Sequence, residues 1–466
     1  MTIRGFLIII HLDLLIPLAV LLNVYLYFYP VFHFCSFAPT TSGAPAPFRL
    51  LALADPQIEG DSKLQQYRRP DGDGTFWDYI HPDDPSLTIR GLFKALDLWG
   101  NDLYLAHVYR STRLTLDPTH TVVLGDLISS QWISDEEFQR RGDRFWRIFK
   151  GGEKVTWEDV DQTGDNIGSG GNWKRKVITL PGNHDIGYAG DMTRTRIERF
   201  EAVYGPVNYA VNFTLNPEED GGEDWAATPP TLRIVVLNSL AMDAPLLDPS
   251  LQQDSLSLIY ETEESNTPSL RQSTLLLTHL PLYKPEGICT DGPYFTWFEE
   301  IYGGGIQEQN HLSQPASEFV LARLFGLPSS GGSEAERAKQ RGAILTGHDH
   351  EGCDVRHYWI PGENEDGSSR WNTSTWEDWT ARENARIEAT QAAASRDEQG
   401  ETTATTPIAE VAEGVREITA RSMMGEFEGN SGLLSAWFDE ESDCKLTPFP
   451  LPYLHHTLSR KESNGK

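Results

Sequence analysis

VITLPGNHD (Val177–Asp185) is a short apolar run that stops at a Pro-Gly turn and delivers an asparagine, a histidine and an aspartate in succession. A continuous β-rich run of this kind reads as a strand buried on both faces. The same arrangement recurs along the chain. Phe48–Ala54 precedes Asp55, and Thr121–Leu124 precedes Gly125-Asp126. Thr231–Leu237 is a further run; Ser273–Thr278 precedes His279, and Ala343–Thr346 precedes Gly347-His348-Asp349-His350. Between the first two runs, Ser86–Arg113 has helical spacing, with Leu92, Leu96, Trp99, Leu103, His107 and Val108 roughly along one side. Asp135–Phe149, carrying Phe138, Phe145, Trp146 and Phe149, is a second helix. Strands alternating with helices predict an α/β fold of βαβ units, whose ligands collect at the carboxyl ends of the strands. The polar residues fall there.

The 466 residues suffice for a sizeable core, and 39% hydrophobic residues argue against a disordered chain. A net charge of −29 with no segregated basic patch speaks against nucleic acid as a partner. The run from Phe6 to Phe34 lacks Lys, Arg and Glu and is long enough to span a bilayer. Arg4 lies before it and no basic residue follows until Arg49, so residues 1–37 are expected to form a signal anchor with a cytosolic N-terminus. A linker (38–47), a lumenal core (48–360), an acidic insertion (361–405), closing strands (406–445) and a tail (446–466) are expected to follow. Within the insertion, Trp379–Ala394 suggests a helix. Arg416–Phe438 alternates in the manner of paired strands. Two Asn-x-Ser/Thr sequons, at Asn212 and Asn372, agree with a lumenal chain. Of four cysteines, Cys289 and Cys353 each follow a histidine motif and are the first candidates for a disulfide, with two free thiols as the alternative.

Collected together, Asp55, Asp126, Asn183, His184, His279, His348 and His350 are carboxylate, carboxamide and imidazole, a set suited to borderline divalent metals. Singly, each has a structural explanation as a cap or a turn. Five strand ends all supplying ligand-type residues by accident is a far weaker explanation.

In this order the blocks resemble the calcineurin-like metallophosphoesterases, whose pattern runs D-x-H, G-D, G-N-H-[DE], a lone H, and G-H-x-H. The resemblance covers roughly residues 48–360. It implies a β-sandwich flanked by helices around a βαβαβ core, here behind an N-terminal transmembrane helix. It also implies two divalent metal ions, Mn²⁺ foremost, with Zn²⁺ and Fe as alternatives. By the same resemblance Asp126 bridges the metals; Asp55 and His350 hold one, and Asn183, His279 and His348 hold the other. His184 becomes the acid, with Asp185 as its orienting partner. Gln57 stands where the family has histidine, so an amide oxygen is expected to replace an imidazole there and to favour Mn²⁺ over zinc.

The arginines of the phosphoprotein phosphatase motifs are missing. ADPQIEGD (Ala54–Asp61), LPGNHDIGY (Leu180–Tyr188), LTHLPLYK (Leu277–Lys284) and GHDHEGCD (Gly347–Asp354) look instead like the fungal ER phosphoesterases of the Ted/Cdc kind. That likeness implies a lumenal phosphodiesterase removing ethanolamine phosphate from the glycan of glycosylphosphatidylinositol (GPI) anchors. It would support export of GPI-anchored proteins, with cargo receptors as further partners. Two other readings stay open: a catalytically weak cargo adaptor, for which Gln57 speaks, and a lumenal phosphoesterase for a different substrate. The aromatic stretches Tyr67–Tyr79 and Gly292–Tyr302 are candidate sugar-stacking surfaces, or core. Met423–Gly432 reads equally as a substrate-side wall or a plain hairpin.

Overall fold

A computed structural model describes residues 10–33, 35–60, 64, 66–69, 76–161, 165–166, 173–214, 229–265, 272–289, 292–327, 341–359, 371–397, 414–439 and 443–451. The apolar runs form strands at Phe48–Leu53, His120–Val123, Lys176–Thr179, Thr231–Leu237, Gln272–Thr278 and Arg341–Thr346. They divide between two sheets. Phe48–Leu53, His120–Val123 and Lys176–Thr179 lie side by side and parallel within a six-stranded sheet. Thr231–Leu237, Gln272–Thr278 and Arg341–Thr346 do the same within an eight-stranded one.

Each strand is apolar throughout because it has two faces to bury. Leu50, Ala52, Val122 and Ile178 of the first sheet meet Ile234, Val236, Leu275, Leu277 and Leu345 of the second in a shared interior. The alternate residues, Leu51, Leu53, Val123 and Val177 on one side and Val235, Leu276 and Ile344 on the other, face helices. The result is a β-sandwich with helices on both outer faces. Helix Asp135–Ile148 inserts Phe138 and Phe145, both fully buried, as the sequence spacing requires.

Helix Pro85–Leu116 is capped by Asp84, whose carboxylate accepts the Ser86 and Leu87 amides, and it ends at Asp117 in the left-handed region. Its buried residues include Leu98, Leu105, Val108 and Tyr109. The side bearing Leu96, Trp99 and Leu103 is turned outward instead. Ahead of the sandwich, Ile10–Tyr27 is an 18-residue span of mean hydropathy 1.7 with none of its window buried. Phe37 then joins the core, and Ala46 is also buried within the stretch expected to be a linker.

Two local expectations change. Gly414–Thr419 and Ser431–Asp439 do not pair with each other. The first adds to the eight-stranded sheet and the second to the six-stranded one, so the segment between them crosses from sheet to sheet. Of the two readings of Met423–Gly432, the hairpin gives way: residues 420–430 carry their own Gly425–Phe427 turn and reach across. The acidic insertion holds more order than its charge suggested, with a strand at Trp371–Thr375 and a helix at Trp376–Asp397. Its tryptophans supply the reason: Trp379 packs on Tyr358, and Trp376 lies 3.9 Å beneath the Arg416 guanidinium. Residues 361–370 and 398–405 of that insertion lie outside the described residues.

Glu417, on the Gly414–Thr419 strand, anchors a buried ionic cluster. Its carboxylate accepts from Lys284 Nζ at 2.6 Å, His357 Nε2 at 2.8 Å and the Leu282 amide at 3.1 Å. Burial alone would raise its pKa, but Lys284 and His357 outweigh that and hold it down at about 2. A carboxyl depressed in the folded state contributes stability above its unfolded value of about 4.5, and that contribution is lost as pH falls through the folded value. Glu417→Gln strands the Lys284 charge, so we expect a loss of about 3–5 kcal/mol in urea unfolding at neutral pH. The gap between variant and parent should close as pH is lowered from about 5 toward 2. A gap independent of pH would refute the assignment.

Candidate metal centre

The two sheets bring their carboxyl ends together. Asp55, Asp126 and Asn183 leave three neighbouring strands of the first sheet, and His279 and His348 leave two neighbouring strands of the second. The backbone bends sharply at these exits. Asp55 (φ 51°), Gln57 (φ 39°), Asp126 (φ 49°) and His348 (φ 73°) account for four of the seven non-glycine positive-φ residues among those described. Each such conformation costs on the order of 1–3 kcal/mol, and concentration in one place marks a site where geometry outweighs comfort. The motif glycines serve the same crowding. A Cβ at Gly182 would overlap both the Asp126 carboxylate and its amide, and one at Gly125 would strike His279 Nδ1.

Asp126, His279 and His348 can direct one ligand atom each to within 4.8 Å of one another, and so can Asp55, Asp126 and His350. Asp126 belongs to both groups. The ring tautomers favour this use. His279 Nδ1 lies 2.8 Å from the Leu124 carbonyl, which can only accept, so the proton sits there and Nε2 presents a lone pair. That lone pair faces Asn183 Oδ1 at 3.0 Å and Asp126 Oδ1 at 3.4 Å. Three acceptors thus converge with no donor among them, an arrangement that a cation resolves. In the same way His348 Nε2 donates to the Gln309 carbonyl at 2.9 Å, freeing Nδ1.

The Asp55 carboxylate accepts the His348 amide through Oδ1, while Oδ2 is buried without a partner. Burial, then the Asp126 charge, pushes the Asp55 carboxyl well up. Burial lowers His279 and His350 and takes His348 down to about 3, keeping the imidazoles neutral and able to ligate. The residues fit divalent ions.

Gln57 enters the cluster from the side of Asp55 and His350. Its amide nitrogen is 3.1 Å from both Asp126 Oδ2 and His350 Nε2. A metal held by Asp55, Asp126 and His350 requires this amide to turn its oxygen toward them. The second group is therefore the weaker of the two.

His184 stands at the edge. Its amide donates to Asp126 Oδ1 at 2.9 Å, its Nε2 is 3.8 Å from Asp126 Oδ2, and its side chain is 38% exposed. Asp185 does not serve as the expected partner of that ring. Its two oxygens accept the amides of Gly182 (2.8 Å), Leu127 (3.1 Å) and Ile128 (3.0 Å), which ties the motif loops together. The carboxylate follows an N-terminal turn and folds back onto it, away from solvent.

Several contributors escaped the sequence reading. Gln309, on a two-stranded ribbon formed by Phe295–Trp297 and Ile306–Gln309, orients His348 through its main chain, which no side-chain pattern reveals. Ser422 donates from Oγ to the Asp55 carbonyl and from its amide to the His350 carbonyl, and the Phe427 ring lies 4.7 Å from that of His350. The segment weighed as wall or hairpin is thus a strap over the cluster. Cys289 and Cys353 are bonded, fixing the start of the strand that follows His350.

No family model matches the chain. Among known proteins it is similar to Protein TED1 of Saccharomyces cerevisiae, 29% identical over 94% of this chain and 92% of that protein. It is also similar to an uncharacterized protein of Schizosaccharomyces pombe, 29% identical over 66% of this chain and 64% of that one. Metallophosphoesterase 1 of Danio rerio is 23% identical over 60% of this chain and 68% of its own length.

Gly182→Ala removes no ligand yet displaces Asp126, so it should lower bound metal about as far as Asp126→Ala does. After incubation with excess Mn²⁺ as the probe, elemental analysis is expected to fall from about two divalent ions per chain to one or fewer for both variants. Wild-type content in Gly182→Ala would show that Asp126 need not sit where it does. Gln57→His should tighten the weaker of two unequal sites by about 10-fold or more in calorimetric titration.

Proposed function

We propose that this chain, a TED1-like member of the calcineurin-like metallophosphoesterase family and so a metal-dependent phosphoesterase, hydrolyses a phosphodiester on a membrane-held substrate. The observation that carries the reading is the pair of ligand groups sharing Asp126 with one solvent-accessible imidazole, His184, at their rim. Two divalent ions there supply Lewis acidity toward phosphoryl oxygens and a nucleophile from water near neutral pH. The chain's own residues do the rest. Asp126 sets the spacing of the two halves, Asp185 keeps their loops in register, and His184 delivers a proton from its ring to the departing alkoxide. Its exposure gives that proton a route back from solvent. One P–O bond breaks in the step and one alkoxide departs with that proton, so the choice of a diester rests on the substrate inferred next and not on His184.

The substrate we infer is the ethanolamine phosphate of a GPI glycan, cleaved in support of the export of GPI-anchored proteins, with cargo receptors as further partners. Mn²⁺ is the preferred metal because an amide oxygen at Gln57 suits it better than zinc. The membrane is the endoplasmic reticulum, with the catalytic domain lumenal. The lack of basic residues between Arg4 and Arg49 supports that orientation. The Cys289–Cys353 bond supports an oxidising compartment, and Asn372 is an exposed sequon there. The ribbon beside the cluster exposes Trp297 (51%), which suits an aromatic rest for a sugar face, with Ile301 (79%) exposed in the turn that joins its strands.

His184→Ala should lower kcat for a diester by about 10²–10⁴-fold with metal content unchanged. Cells lacking the protein should accumulate GPI glycans carrying one extra ethanolamine phosphate by mass, restored by the parent and not by His184→Ala. Equal rescue by both would favour the adaptor instead, and an unchanged glycan profile would point to a different ester.

A further inference from the structure

Helix Pro85–Leu116 has two apolar sides. One is buried against the first sheet. On the opposite side Ile89 (54% exposed), Phe93 (69%), Leu96 (60%), Trp99 (62%) and Leu103 (46%) follow one another at intervals of three and four residues. That band runs about 20 Å at 1.5 Å per residue. A helix on the surface of a soluble domain carries polar residues there, and a contiguous exposed apolar band marks something that covers it.

The surroundings name the occupant. The membrane-spanning helix ends on this same helix: the Tyr27 ring lies 4.5 Å from that of His107, and His107 bonds to the Leu26 carbonyl. His107 is four residues beyond Leu103, on the same side, so the band starts where the span stops. The helix also carries four basic residues against two acidic ones, in a chain whose net charge is −29. Arg90 and Arg110 are exposed beside the band, and Trp99 is the residue type that settles at headgroup depth.

We propose that this side of the helix lies in the interfacial layer of the bilayer that holds the N-terminal span. The domain is thereby seated on lipid along a helix as well as tethered by its anchor. This rests on the membrane reading of Ile10–Tyr27 and not on the identity of the substrate. It also orients the metal centre. Tyr104, next to Leu103, packs against Gly425 and Gly429 of the strap whose Phe427 covers His350. Seating the helix therefore brings that strap, and the cluster beneath it, to the membrane side of the domain.

The test uses the full chain with Cys35→Ser and Cys444→Ser, single cysteines at Leu96→Cys or Phe93→Cys, and Gln253→Cys on a distant helix as the control. Each is labelled with an environment-sensitive fluorophore and reconstituted in phosphatidylcholine vesicles with a fifth of phosphatidylinositol. The Leu96 and Phe93 labels should shift to the blue and be quenched about twofold or more by acyl-brominated lipid, and the control should not. Labels as open to aqueous iodide as the control would overturn the contact. So would labels shielded from iodide but untouched by brominated lipid, because protein would then be the cover. Alkaline carbonate extraction reads the anchor separately: retention with water-exposed labels sinks the helix contact alone, and release with quenched labels sinks the anchor alone.

Discussion

One carboxylate has to serve two sets of ligands. Asp126 is 1% exposed, held in the left-handed backbone region, and pressed by Gly182 on one side and His279 on the other. Its Oδ1 takes the His184 amide and faces His279; its Oδ2 takes Gln57. A buried charge placed among other acceptors is unfavourable on its own. It persists here because the surrounding strands leave it no alternative conformation, and because the lone pairs around it suit a cation. Every other feature of the site is arranged about that atom pair.

Holding two sheets in register at one end is a mechanical problem, and main-chain bonds supply most of the answer. Residues 420–430 run from one sheet to the other and bond on the way to the strand exits of both, through Ala420 to Thr346, Ser422 to His350, and Met423 to Ala54. Asp185 performs the equivalent task within the first sheet. The Cys289–Cys353 bond and the Lys284–Glu417–His357 cluster stiffen the second sheet beside His279. The long-range polar contacts thus sit where the strands deliver chemistry, and the apolar interior fills the remainder.

The strands and the polar residues that end them were legible because a run buried on both faces has to be apolar throughout and has to stop abruptly. Thr231–Leu237 matches its expected bounds, and the runs before Asp126 and His348 differ by only a residue or two. What the chain did not disclose was partnership across distance. Nothing local says that the strands after Thr346 and after Asn430 belong to different sheets, that Asp185 turns inward to amides, or that a backbone carbonyl at Gln309 fixes a tautomer. The acidic insertion was expected to be a long loop with a helix at Trp379–Ala394, because its composition does not say that Trp376 and Trp379 find Arg416 and Tyr358 to pack on. Helix Pro85–Leu116 is the subtler case. Its apolar spacing was plain, but a pattern on one side of a helix does not say whether protein or something else lies opposite.

Phe37 lies ten positions after the last residue of the span and is already part of the core, with Ala46 enclosed soon after. The folded unit thus begins well ahead of its first strand. A secreted fragment trimmed at Phe48, the natural choice from composition, would leave a hole the size of a benzyl group under the helical layer. Truncations meant to yield a free-standing catalytic domain belong upstream of Phe37, at the cost of retaining a greasy stub.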